Sequence, residues 1–103
     1  MIRIVLSDEA QADALEAFRF YEKRREGLGE RFRDHLDIAI VGIQETPELY
    51  PLVYRDLRRA LVKRFPYVVL YRVYPGLIFV VAIMHAKQSP GAWKHRVARD
   101  EPG

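Results

Sequence analysis

Residues 67–84 constrain this chain more than any other stretch. Tyr67 to Tyr74 and Leu77 to Met84 are two runs of branched, aromatic and other apolar residues on either side of Pro75-Gly76. Such side chains favour extended backbone, and a Pro-Gly pair favours a tight turn. The two runs therefore predict a β-hairpin. Neither alternates apolar with polar residues as a half-wet strand does, so both strands belong in the interior of a sheet.

The first half has a different period. Ala10, Ala14, Ala17, Phe18 and Tyr21 follow at helical steps, after Ser7 as a capping residue and the acids Asp8 and Glu9. Phe32, Leu36, Ala39, Ile40 and Ile43 repeat the pattern. Gly27 and Gly29 break the chain between the two stripes, and Thr46-Pro47 stops the second. This is an αα-hairpin. Ile2, Ile4 and Leu6 predict a short first strand at or near a sheet edge, paired in parallel with the last strand. Arg59 to Val62 predicts another short strand. Ser89-Pro90 suggests a turn or helix start, and Trp93 to Val97 a short terminal helix. The resulting fold class is α+β, with a helical hairpin on a small, mainly antiparallel four-stranded sheet in the order β-α-α-β-β-β. The expected domain spans residues 1–98, with a frayed tail over 99–103.

With 103 residues there is room for one core. The chain has no cysteine, which rules out disulfides and thiolate metal sites and fits a cytoplasmic protein. No apolar stretch is long enough for a membrane span, and the opening MIRIVLSDEA is too short a run for a signal peptide. The sequence has no P-loop, dinucleotide fingerprint, HExxH or serine elbow, so no cofactor or metal is expected. Glu22, Glu26, Glu30 and Asp34 read as a solvated helix face and its flanking loop. Charge is unevenly spread. Residues 1–51 carry a net −4 and residues 52–103 a net +7. A basic half suits an anionic partner, and equally suits the solubility of an apolar sheet.

Two segments of that basic half carry a resemblance. In Arg58-Arg59-Ala60-Leu61-Val62-Lys63-Arg64-Phe65-Pro66-Tyr67, arginines precede a short strand and Phe-Pro-Tyr leads into the hairpin. Further on, His85, Lys87, Pro90 and Trp93 match an H-x-[RK]-x-P-x-x-W pattern. Phe18-Arg19-Phe20-Tyr21, Gly27-Leu28-Gly29 with Arg31-Phe32, Pro47 and Tyr50-Pro51 precede them in order. Across nearly its whole length the chain resembles the RelE/ParE superfamily of toxins from bacterial type II toxin–antitoxin systems. The resemblance implies a growth-inhibiting toxin, linked to plasmid stabilisation, with no membrane partner. It also implies a cognate antitoxin that wraps around the toxin in a hetero-oligomer, through an acidic tail that folds on binding. One branch of the superfamily cleaves mRNA on the ribosome, and the other inhibits DNA gyrase. A non-toxic RNA- or protein-binding module that keeps the fold is the competing reading.

Metal-free RNA cleavage needs a base for the 2′-hydroxyl, cations for the phosphorane and an acid for the leaving oxygen. Under the resemblance the catalytic candidates are Arg59, Lys63, His85, Lys87 and His95. Arg58, Arg64, Trp93, Lys94 and Arg96 are candidate target or nucleic-acid contacts. Trp93 stands where nuclease members often place a tyrosine. An indole stacks on a base but transfers no proton. A gyrase inhibitor needs only a shaped surface. Each candidate has a structural alternative. His85 can be a hydrogen-bonded structural histidine, and Trp93 a packing anchor for the C-terminal segment. Of Arg58 and Arg59, which alternate in a strand, one should be held internally and the other exposed. Arg72 suits a salt bridge across the sheet, and Tyr67, Tyr71 and Tyr74 suit strand positions with their hydroxyls at the sheet margin.

Overall fold

The computed structural model describes residues 1–88 and 91–100, the last three by backbone alone. Five strands form one sheet: β1 (Arg3–Leu6), β2 (Leu52–Tyr54), β3 (Leu57–Val62), β4 (Tyr67–Tyr74) and β5 (Leu77–His85). Their spatial order is β1-β5-β4-β3-β2. β1 pairs with β5 in parallel, and every other pair is antiparallel. The two apolar runs, β4 and β5, are thus both interior, and β1 lies at an edge as its sequence predicts.

The fifth strand, β2, is a correction to the expected four. It has three residues, none fully buried, so it is too short to show a period of two. A turn at Arg55, whose φ is 52°, returns the chain into β3 two residues earlier than expected. Arg72 then holds that turn from β4. Its Nε donates to Asp56 Oδ1 at 2.9 Å, the cross-sheet salt bridge its position suggested.

One face of the sheet is covered by α1 (Asp8–Arg24) and α2 (Leu28–Glu45). Ser7 caps α1, its Oγ accepting from the Ala10 N–H at 3.0 Å. Acids in the first turn and Lys23 and Arg24 in the last complement the helix dipole. The link between the helices rests on Glu22, whose carboxylate accepts from the N–H groups of Gly27 at 2.9 Å and Gly29 at 3.0 Å. Glu22 is therefore more than part of a solvated face. It satisfies donors that the start of α2 leaves without partners. Gly29, expected in the link, lies inside α2, where a Cβ would sit 2.6 Å from the Phe18 carbonyl oxygen. Only glycine lets the helices approach this closely.

The hairpin side of the sheet is dry. Ala10, Ala17, Phe32, Leu36 and Ile43 pack on Ala60, Val62, Val69, Tyr71, Ile78, Val80 and Ile83. Phe32 is 1% exposed, with its ring 5.2 Å from both Phe65 and Tyr67 and 5.5 Å from Tyr21. Tyr71 is fully buried, not at the margin, and its hydroxyl donates to the Pro47 carbonyl at 2.6 Å. Burial pushes that hydroxyl up to about 12, against the opposing pull of Arg58. Burial likewise raises Tyr21 and Tyr67.

A bulge re-phases β5. Leu70 pairs with Ala82 and Tyr71 with Val80, which leaves Val81 as the extra residue. Ile78, Val80 and Ile83 consequently face the hairpin, while Val81, Ala82 and Met84 face the other way. There they meet Leu57, Val68, Leu70 and the third helix, α3 (Gly91–Asp100), through its fully buried Val97. This helix is longer than the expected 93–97 and continues past the expected domain limit at 98. Ser89-Pro90 and residues 101–103 lie outside the described residues. Among those described, no helix is long and apolar enough to cross a membrane.

Candidate functional site

The two faces are not covered equally. Ten residues of α3 cannot roof the sheet that thirty-five residues of α1 and α2 cover on the other side. Beside α3 a cleft of about 280 Å³ remains. Its floor is Val68, Leu70 and Met84, and Val53 and Arg59 form one wall. Trp93 closes the α3 side, and His85, Ala86 and Gln88 close the end beyond β5.

This cleft joins three of the residues singled out from sequence: Arg59, His85 and Trp93. Arg59 is exposed, and among the described residues it makes no ion pair. Arg58, its neighbour in β3, faces the opposite side and donates to the carbonyls of Glu48 at 3.0 Å and Tyr50 at 2.6 Å. One arginine is held internally and one is exposed, as alternation requires. Arg58 therefore anchors the loop after α2.

His85 Nδ1 accepts from the Lys87 backbone N–H at 3.1 Å. That bond places the proton of the neutral ring on Nε2 and occupies the nitrogen a general base would use. Its ring also meets Tyr67 edge-on at 5.6 Å. The Lys87 side chain is exposed, just past the strand. Trp93 packs against the Leu57–Val97 core and meets Tyr54 edge-on at 5.7 Å, so it anchors α3 as well as lining the cleft. Lys94 lies over the other partner of that pair, with Nζ 4.8 Å from the Tyr54 ring centre.

The remaining candidates lie elsewhere. Lys63 and Arg64 are exposed in the turn between β3 and β4, Arg64 with φ of 70°. His95 is exposed on α3, with Nδ1 3.3 Å from the Gly91 carbonyl, and does not line the cleft. Arg96 is clamped to α1, with hydrogen bonds of 2.7 and 3.2 Å to Asp13 and an ion-pair contact of 3.2 Å to Glu9. Both partners of its principal pair are mostly buried, at 14% and 15% exposure. Asp13 also accepts from the Ile83 N–H at 3.0 Å, on the stretch of β5 beyond its last pair with β1, Leu6 with Val80. One carboxylate thus joins α1, β5 and α3.

Sequence reasoning missed Asp13, Tyr54 and Gln88. Asp13 had a signal, because it sits three residues after Ala10 and four before Ala17, inside the apolar stripe of its helix. A carboxylate on such a stripe needs a cationic partner. Tyr54 and Gln88 had none, since Tyr54 ends a strand of three residues and Gln88 follows the turn after β5. Among the described residues, no group of three or more histidines and carboxylates could hold a metal ion.

The comparisons with known proteins agree with this architecture. The family model described as "ParE toxin of type II toxin-antitoxin system, parDE" matches residues 4–90. A solved structure titled "Chromosomal ParDE TA system from P. aeruginosa" superposes with a TM-score of 0.73 at 16% identity. The match covers 82% of this chain and 96% of that one, and at this identity it speaks for the fold. No curated protein matches.

Proposed function

Since this chain belongs to the ParE toxin family of type II toxin–antitoxin systems, we propose that it arrests growth by gripping a macromolecular target, not by cutting RNA. DNA gyrase is the target this reading favours. The observation that carries it is the state of the proton-transfer groups. In the cleft, the acceptor nitrogen of His85 is taken by Lys87 N–H, and the residue facing it from α3 is Trp93. His95 lies outside the cleft, and Arg96 is neutralised by α1. What remains is a basic, aromatic-walled surface of Arg59, Lys87, Trp93 and Lys94, which suits binding.

One observation favours ribosome-dependent mRNA cleavage as a second reading. Arg59 and His85 line the same cleft, and His85 as the imidazolium, with the Lys87 N–H bond to Nδ1 broken, carries an Nε2 proton that it can give to a leaving oxygen to return to the neutral ring. Either target lies in the cytoplasm. In both readings an antitoxin, with an acidic segment that orders on binding, covers the basic and apolar surface until it is degraded.

Inducing the chain alone tests the proposal. Growth should stop, with double-strand breaks and an SOS response as the first signs. Codon-phased mRNA cuts would replace this reading with the second. Unchanged growth would favour the non-toxic binding module.

A further inference from the structure

β1 ends the sheet on one side, and main-chain groups along a strand point alternately to its two edges. Ser7 N–H donates to the Val80 carbonyl at 3.0 Å, which turns the groups of residues 3, 5 and 7 toward β5. Those of Ile2, Ile4 and Leu6 therefore point out of the sheet. No strand meets them among the described residues. An edge left in this state pairs readily with another extended chain.

Side chains stand here where a neighbouring strand would be. Gln44, near the end of α2, donates through Nε2 to the Ile2 carbonyl at 2.9 Å. Gln11, early in α1, donates through Nε2 to the Leu6 carbonyl at 3.1 Å. The edge continues along β5 beyond β1 and is treated alike. Ser7 Oγ donates to the Val81 carbonyl at 3.3 Å, and Asp13 accepts from the Ile83 N–H at 3.0 Å. Ser7 also caps α1, and Asp13 also holds Arg96. The two glutamines have no such second task. Gln11 is exposed, and a carbonyl at the surface can accept from water instead.

Geometry sets what the glutamines exclude. A second copy aligned antiparallel, with Ile4 opposite Ile4, would pair Ile2 of each molecule with Leu6 of the other. Its hydrogen bonds would run to the Ile2 and Leu6 carbonyls, the two that the glutamines occupy. Nothing else opposes this pairing. Ile2, Ile4 and Leu6 all lie on the core face, so the two copies would set apolar rows side by side. Arg3 would face Val5, not another cation. We infer that Gln11 and Gln44 seal the outer edge of β1 against strand addition, and that the partner they exclude is a second copy of this chain. The inference holds whatever the target of the chain is.

The full chain and its Gln11→Ala/Gln44→Ala variant are compared by sedimentation velocity over a concentration series, with amide exchange followed by NMR. The parent should stay monomeric. The double variant should self-associate, with a dissociation constant roughly tenfold or more below the limit set by the parent, since a parent dimer must break two such bonds in each molecule. Exchange at Ile4 and Leu6 should slow as concentration rises, which aggregation through unfolding does not produce. Val5→Arg added to the double variant should restore the monomer, by opposing like charges across the pair. Gln11→Ala alone, a change at the surface, should show the same association more weakly. A double variant that stays monomeric, associates without protecting Ile4, or still associates once Val5→Arg is added overturns the proposal. So does a parent chain that dimerises with Ile4 protected. If the double variant does not fold, Gln11→Ala decides, and a monomer at every concentration overturns the seal.

Discussion

The two faces of the sheet share five strands and differ in almost everything else. On the hairpin side, large rings and branched chains close over one another, and the tyrosines there hold their protons. On the α3 side a short helix is fastened at one point by an ion pair, and a cleft lined with Arg59, His85 and Trp93 stays open. One sheet thus combines a rigid support with an adaptable surface. The difference follows from how much apolar helix each side receives. Two long amphipathic helices exclude water, whereas ten residues, with a single fully buried side chain among those described, cannot.

The contrast can be broken most violently at Phe32. Phe32→Ala should lower unfolding free energy by about 3–5 kcal/mol in a urea titration, because it empties the centre of the aromatic cluster. A loss near that of an exposed residue would mean the hairpin side is not the support. Next comes the fastening of α3. Asp13→Ala should cost about 3 kcal/mol, because it leaves Arg96 mostly buried with one fewer partner and frees the Ile83 N–H. A double-mutant cycle with Arg96→Ala should show strong coupling, and additivity would show that α3 is held by Val97 and Trp93 alone.

Alkali probes the dry side more gently. The folded Tyr71 hydroxyl titrates at about 12 against 10.0 for the ordinary group. The folded state therefore binds that proton more tightly than the unfolded one. Its contribution to stability is complete below pH 10 and is lost as pH rises through about 12. Tyr71→Phe should flatten this fall, as read from denaturation midpoints, and an unchanged slope would contradict the burial argument. The smallest effect on stability, and the sharpest on function, belongs to the open side. Arg59→Ala and Lys87→Ala should each change stability by less than about 0.5 kcal/mol and yet relieve growth arrest. Full toxicity in both folded variants would remove the cleft from the function.

Much of the fold was legible because it is periodic. The 3.6-residue stripes of α1 and α2 and the continuous runs of β4 and β5 are properties of composition along the chain. β2 was not legible, since three residues between turns carry no period, nor was the full length of α3. The site was legible only in part. Arg59, His85 and Trp93 could be named as candidates, but nothing in the sequence separated them from Arg58 and Arg96, whose guanidinium groups are engaged within the fold.

By itself the sequence determined the helical hairpin, the interior β-hairpin, the parallel return of β1 and the excess of positive charge in the second half. These depend on neighbours within a few residues, or on which segments must leave water. The tertiary structure alone decided which arginines are available. Arg58 meets the loop after α2 and Arg96 meets Asp13, 83 residues away along the chain. Partners that distant leave no mark near the residue they neutralise. The bulge at Val81 likewise shows only in the register of β5 against β4, and it sets which side of the sheet each later residue of β5 faces.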